Sequence, residues 1–301
     1  MTMTQKDLYT KRIDFLKSLR HMPSKKNLEH LLRRLDLNYQ GSSDFDYVDD
    51  GSTLVRDVII DLNAGNHVML IGPKAAGKNT LIDNLGRLYT KKVREIQCHA
   101  YTDMDALFGY PTLRSKEGQT HPELIFVPSE LVLAMEVGDF LVLDEMNTVN
   151  PAVLAALNSI LDKRRRVYVP GYGLVNAHEQ FRVFATMNEG YQGVLELNEA
   201  TMSRFSIHHV DLPKDISKLL AMNCPEAKHE DIRLCQRLYE HMLYAVNKGT
   251  LTRDVINIRG FVYALERTLW EMPIKSALKA VIHGISNPED RNAVNSFIAV
   301  L

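Results

Sequence analysis

The chain has 301 residues, 45% of them hydrophobic and 24% charged, proportions that exclude a fibrous repeat or a disordered composition and a length that allows two domains. Its 36 basic and 37 acidic residues nearly cancel, so no whole-molecule field draws it onto nucleic acid or an anionic membrane. The three cysteines, Cys98, Cys224 and Cys235, form no C-x-x-C pair, which argues against a disulfide framework or a cysteine zinc site. With no signal-like leader and no apolar run of about 18 residues, the expectation is a cytoplasmic protein without membrane insertion.

From Lys6 to Asp36 apolar residues fall at helical spacing (Leu8, Phe15, Leu16 and Leu19, then Leu28, Leu31, Leu32 and Leu35), with a break at Met22-Pro23-Ser24. Two short helices are predicted. Their many lysines and arginines read as a solvated face, with a basic arm for docking a partner or nucleic acid as the alternative. The Gly-, Ser- and Asp-rich stretch Asn38–Ser52 reads as a linker, which gives a helical N-terminal extension over 1–45.

Beyond the linker, Leu54–Leu62 predicts a helix, and His67-Val68-Met69-Leu70-Ile71 is an apolar run of the kind a buried parallel strand requires. Two further runs, Phe140–Leu143 and Phe181–Thr186, alternate with helical pattern. The fold class expected over 46–212 is therefore α/β, a parallel sheet covered by helices. From Lys214 onward Leu234, Leu238, Met242, Val246, Phe261, Leu265 and Leu269 keep helical spacing, which predicts a helical domain over 213–301.

The run Gly72-Pro73-Lys74-Ala75-Ala76-Gly77-Lys78 lies directly after the first strand, and a helix opens beyond it at Thr80. Strand, glycine-rich loop and helix in that order form a phosphate cradle. Backbone N–H groups and the positive end of the helix dipole face phosphate oxygens, and Lys78 adds a charge to the β- and γ-phosphates. The next position, usually Ser or Thr to ligate magnesium, is Asn79, with Thr80 one step later. The Asn79 side-chain carbonyl is still a hard oxygen donor.

Phe140-Leu141-Val142-Leu143 ends in Asp144 and Glu145, at the sheet edge where open α/β folds bind ligands. Asp144 is the candidate magnesium ligand, and Glu145 the candidate for polarising the water that attacks the γ-phosphate of ATP. The plainer alternative is an acidic helix cap after a core strand.

The segments Leu143-Asp144-Glu145-Met146-Asn147-Thr148-Val149-Asn150-Pro151, Leu157-Asn158-Ser159-Ile160-Leu161-Asp162 and Arg164-Arg165-Arg166-Val167-Tyr168-Val169-Pro170 closely resemble the MoxR-like and dynein/midasin-related AAA+ ATPases. The resemblance spans roughly 48–269. It implies a P-loop AAA+ core with a helical lid. It also implies that Asn188, after Phe184-Ala185-Thr186-Met187, is the sensor 1 residue near the γ-phosphate. Arg204, in the segment after Gly190-Tyr191, would be an arginine finger reaching a neighbouring subunit, and Arg259 the sensor 2 residue, with Arg253 as the alternative. The stretches 110–128 and 166–180 would be inserted hairpins facing a ring pore or a partner. The function so implied is an ATP- and Mg2+-dependent remodelling ATPase of the chaperone kind. It would act as a homo-oligomeric ring of six on a protein client, with a von Willebrand factor A domain protein as a possible partner. A nucleic-acid motor and a non-hydrolysing, nucleotide-gated scaffold are the other classes this sequence leaves open.

Overall fold

The computed structural model describes residues 5–19, 24, 28, 47–48, 51–115, 121–188 and 197–301. Most of the second N-terminal helix and of the linker, the tip of the first hairpin at 116–120, and the Gly190-Tyr191 segment lie outside the described residues. The chain forms two compact units, one of Met1–Gly72 with Lys78–Val210 and one of Pro73–Gly77 with Asp211–Leu301.

Among the described residues the first unit contains nine strands: β1 (His67–Gly72), β2 (Val93–Gln97), β3 (Gly109–Arg114), β4 (Glu123–Pro128), β5 (Phe140–Asp144), β6 (Arg166–Val169), β7 (Gly173–Asn176), β8 (Arg182–Asn188) and β9 (Phe205–His209). Five of them make a parallel sheet in the order β2-β5-β8-β1-β9. Every residue of β1 is buried, which is why a central parallel strand reads as a continuous apolar run and not as an alternation. The expected α/β class is thus the observed one. β1 and β8 each run slightly past their expected ends, to Gly72 and Asn188.

Packing around the sheet follows from the residue spacing. In the helix Leu54–Ala64, Val55, Val58, Ile59 and Leu62 form one buried stripe. The helix Lys78–Tyr89 buries Leu81, Ile82, Leu85, Leu88 and Tyr89. Tyr89 meets Phe140 with ring centroids 5.7 Å apart, and Phe140 meets Phe184 edge-on at 5.3 Å. Each such aromatic pair adds about 0.5–1.5 kcal/mol beyond the area it buries.

Two polar groups sit deep in this unit. Arg182 donates to the carbonyls of Leu62, Glu179 and Phe181, so its charge neutralises the carbonyl end of the helix Leu54–Ala64. His67 accepts the Val183 N–H at its Nδ1, 2.9 Å away. Burial, with the nearby charges of Arg165 and Arg182, pushes its pKa down to about 3.

The two predicted hairpins are present. β3 pairs antiparallel with β4 and β6 with β7. The rings of Phe126 and Tyr172, one from each hairpin, lie 5.1 Å apart. The first helix, Gln5–Ser18, belongs to the same unit, and its buried Arg12 donates to the Arg87 carbonyl at 3.4 Å.

The second unit is helical among the described residues: Ser217–Asn223, His229–Asn247, Ile258–Thr268, Ile274–Ala277, Lys279–His283 and Pro288–Val300. Its core includes Leu238, Tyr239, Met242, Phe261, Leu265, Leu278 and Val294. Tyr239 packs edge-on against Phe261 at 5.9 Å and donates its hydroxyl to the Pro213 carbonyl at 2.5 Å. Among the described residues, no helix is long and apolar enough to cross a membrane.

Candidate functional site

β1 delivers the chain to the site at Gly72. There Ile71 accepts the Val210 N–H at 2.7 Å, and this bond draws the Val210 backbone so close that a Cβ on residue 72 would lie 2.1 Å from the Val210 oxygen. Only glycine fits. The loop that follows holds Ala75 at φ 61° and Gly77 at φ 84°, left-handed residues that turn successive N–H groups toward one side, the geometry of an anion nest.

The helix starts at Lys78, two residues before the expected Thr80. Lys78 is 8% exposed, and its Nζ donates to the Gly72 carbonyl at 2.8 Å and to Asn188 Oδ1 at 2.9 Å. The first of these bonds closes the neck of the loop. Asn79 is exposed and Thr80 half-buried.

The acidic pair is held from the neighbouring strand. β5 ends at Asp144, and Glu145 turns the backbone into the left-handed region at φ 54°, ψ 42°. For a non-glycine residue that conformation costs roughly 1–2 kcal/mol. Thr186 of β8 offsets part of this cost: its Oγ1 accepts the Glu145 N–H at 3.0 Å and donates to Asp144 Oδ1. Thr148 donates its hydroxyl to the Glu145 carbonyl at 2.8 Å, capping the turn on the other side.

The turn carries the Glu145 carboxylate to Asn188, whose Nδ2 donates to Glu145 Oε1 at 2.7 Å. Asn188 therefore faces an ammonium with its oxygen and a carboxylate with its nitrogen, the one amide orientation that satisfies both. Its backbone carbonyl accepts from the buried Asn147 side chain at 3.3 Å. Lys78, Asn188 and Glu145 form one continuous hydrogen-bonded line from the start of the helix Lys78–Tyr89, through the end of β8, to the turn after β5.

The field at this edge is negative. Burial first, then the charges of Asp144 and Glu145, push the Cys98 thiol up to about 12. Burial, then Asp144 and Asp83, raise the Glu95 carboxyl above its usual range. Among the described residues no group of three or more His, Cys, Asp or Glu side chains gathers as a metal cage, but the adjacent carboxylates Asp144 and Glu145 are hard oxygen donors of the kind magnesium takes alongside waters and phosphate oxygens, so the residues present fit such an ion.

The structure thus brings Gly72, Lys78, Asp144, Glu145 and Asn188 together. Arg204 stands outside this line: it follows the helix Glu199–Met202, its Nη1 donates to the Ala200 carbonyl, and its Nε is buried without a hydrogen-bond partner among the described residues. Arg259 is exposed in the first turn of the helix Ile258–Thr268, where Asn257 Oδ1 accepts its N–H at 3.1 Å. Arg253 pairs with Asp211 at 3.1 Å. Sequence reasoning missed Thr186 and Asn147. The signal for Thr186 was its place two residues before Asn188, on the same face of one strand.

Residues 67–205 match the family model of the AAA domain, dynein-related subfamily. YojN of Bacillus subtilis strain 168, an uncharacterized protein, is 29% identical over 87% of this chain and 86% of its own length. The uncharacterized protein SERP0979 of Staphylococcus epidermidis is 28% identical, covering 82% of this chain and 95% of its own. SAOUHSC_01413 of Staphylococcus aureus is 29% identical with the same coverage. A solved structure from Cytophaga hutchinsonii aligns with 98% of this chain and 96% of its own at 16% identity and a TM-score of 0.46. The parallel sheet, its phosphate-type loop and the paired acids on the adjacent strand agree with the match of residues 67–205 to the AAA domain, dynein-related subfamily.

Proposed function

We propose that the chain binds ATP along Gly72, Pro73, Lys74, Ala75, Ala76, Gly77, Lys78, Asn79 and Thr80 and hydrolyses it. The observation that carries this reading is the line from Lys78 through Asn188 to Glu145. It sets a cation for phosphate, a polar side chain and a carboxylate base within hydrogen-bond reach of one another, as phosphoryl transfer to water requires.

Lys78 offsets charge on the β- and γ-phosphates, while Glu145 accepts the proton of the attacking water and Asn188 keeps that carboxylate aimed. Asp144, with the Asn79 oxygen, would hold magnesium, which when bound neutralises charge on the phosphate oxygens. The bonds from the Lys78 ammonium to the Gly72 carbonyl and to Asn188 Oδ1 orient the cation for an arriving phosphate.

In this reading 46–212 is the nucleotide-binding domain, 213–301 a helical lid that brings Arg259 to the γ-phosphate, and 1–45 an extension. Arg204 acts in trans as an arginine finger, so turnover depends on assembly into a ring of six. The buried Arg204 Nε without a partner supports this, because such a donor is costly unless a further acceptor arrives. The ring remodels a protein client as MoxR-like ATPases do, with a von Willebrand factor A domain protein as its partner class and its two hairpins turned to the client.

Phosphate release by the purified chain with ATP and magnesium, followed together with sedimentation, tests the reading. Turnover that rises more than linearly with protein concentration supports it, and a chain that binds no nucleoside triphosphate refutes it.

A further inference from the structure

The hydroxyl of Thr186 joins both acids of the site. Thr186 is 1% exposed, so its hydroxyl has no access to bulk water and its one proton and its acceptor lone pairs must be used inside the protein. The proton goes to Asp144 Oδ1, and a lone pair takes the Glu145 N–H at 3.0 Å. Two features make this more than a filled hydrogen bond. The parallel ladder between β5 and β8 has its last registered pair at Leu143 and Ala185, so the Glu145 amide emerges beyond the ladder with no strand carbonyl in register to take it. Glu145 is also in the left-handed region, where a non-glycine residue stays only when its surroundings hold it.

We propose that Thr186 is a positioning residue for the hydrolytic site, acting through Asp144 and Glu145 and not by touching substrate. The inference rests on the ATPase reading above. One side of the hydroxyl fixes the plane of the Asp144 carboxylate, the side chain assigned to the metal. The other side locks the peptide turn that carries the Glu145 side chain to Asn188. One hydroxyl thereby couples the metal-holding acid to the water-activating acid: if it is lost, both lose alignment together, while Lys78 keeps its own contacts to Gly72 and Asn188.

The β-branched shape of Thr186 also matters, since it sits mid-strand opposite Leu70 of β1. Valine keeps that shape and deletes only the hydroxyl; serine keeps the hydroxyl and deletes a methyl group. The experiment compares wild type, Thr186→Val and Thr186→Ser in three measurements. These are binding of a fluorescent ADP analogue in EDTA, Mn2+ affinity of the nucleotide complex by electron paramagnetic resonance, and steady-state phosphate release as a function of magnesium.

The expected result for Thr186→Val is metal-free ADP affinity within about twofold of wild type, Mn2+ affinity weakened tenfold or more, and kcat lowered tenfold or more. Thr186→Ser is expected to recover both losses to within about threefold. Amide exchange at Glu145, read by NMR, speeds up in the valine variant alone. If Thr186→Val does not fold, Thr186→Ala is put through the same series.

Equal loss in the serine and valine variants overturns the proposal, because it assigns the effect to packing. Wild-type metal affinity and kcat in Thr186→Val overturn it too, and leave the ATPase reading standing. A wild-type protein with no turnover, by contrast, takes down that reading and this inference with it.

Discussion

Replacing Gly72 with alanine tests the site at its tightest point. The new Cβ would lie 2.1 Å from the Val210 oxygen and 3.1 Å from the Val210 carbonyl carbon, where ordinary contact begins at 3.4 Å. Both neighbours are backbone, held by the 2.7 Å bond from the Val210 N–H to Ile71, so neither can swing away as a side-chain tip would. Gly72 is not among the positive-φ residues, and the whole cost is therefore close approach. Overpacking of this kind costs typically about 1–3 kcal/mol. For a unit of this size that is a fall in Tm of roughly 3–10 °C.

The Gly72 carbonyl is also the acceptor for Lys78 Nζ, so the displaced backbone takes the phosphate lysine with it. Differential scanning fluorimetry with and without ATP analogue gives both numbers. Gly72→Ala should melt lower and lose most of its nucleotide-induced shift. Ile71→Val, one residue earlier, should cost about 0.5–1.5 kcal/mol and keep the shift. A Gly72→Ala protein that melts and responds to nucleotide as wild type does would show that the closeness of Val210 has no consequence.

Three further outcomes are expected. Asn188→Ala removes the link between Lys78 and Glu145 and should lower kcat about 10- to 100-fold with little change in nucleotide affinity; a fall in affinity with kcat preserved contradicts the assignment. Arg204→Ala should stop turnover while nucleotide affinity persists, and mixing it with Glu145→Gln protein should restore some phosphate release, since each supplies what the other lacks across an interface; no recovery in mixed rings argues against action in trans. His67 has a folded pKa near 3 against 6.5 when unfolded. Below about pH 6.5 the unfolded chain binds a proton that the folded chain refuses, so stability is intact above that pH and falls as pH drops toward 3, by up to about 1.4 kcal/mol per unit. Denaturant midpoints between pH 7.5 and 5 should show a steeper loss for wild type than for His67→Gln; parallel curves would contradict this.

The legible parts of the fold were those whose burial is two-sided. β1, β5 and β8 lie inside the sheet and read as apolar runs, with their C-terminal ends marked by Gly72, Asp144 and Asn188. The edge strands β2 and β9 were not read, because a strand buried on one side carries polar residues on the other: Val93-Arg94-Glu95-Ile96-Gln97 and Phe205-Ser206-Ile207-His208-His209 have no apolar run. Both sit at the outer positions of the sheet, and their polar side chains find local partners. Arg94 pairs with Glu130 at 2.6 Å and Asp139 at 2.9 Å, and His208 meets Asp61 at 2.8 Å.

In the site, residues with charge or glycine geometry announced themselves by type and spacing. Thr186 and Asn147 did not, since a hydroxyl or amide in a core strand or turn has no pattern of its own until the strands are aligned. Asn188 was reached through family resemblance, and its two hydrogen bonds, one accepted from Lys78 and one donated to Glu145, are visible only in three dimensions.

The most direct test of the account is Glu145→Gln, which keeps an oxygen to accept from Asn188 Nδ2 but has no basicity to take a proton from water. The expected result is ATP binding at wild-type affinity, with phosphate release reduced by about 100-fold or more. Phosphate release near the wild-type rate in Glu145→Gln would contradict the assignment of Glu145 as the base, and with it the central claim.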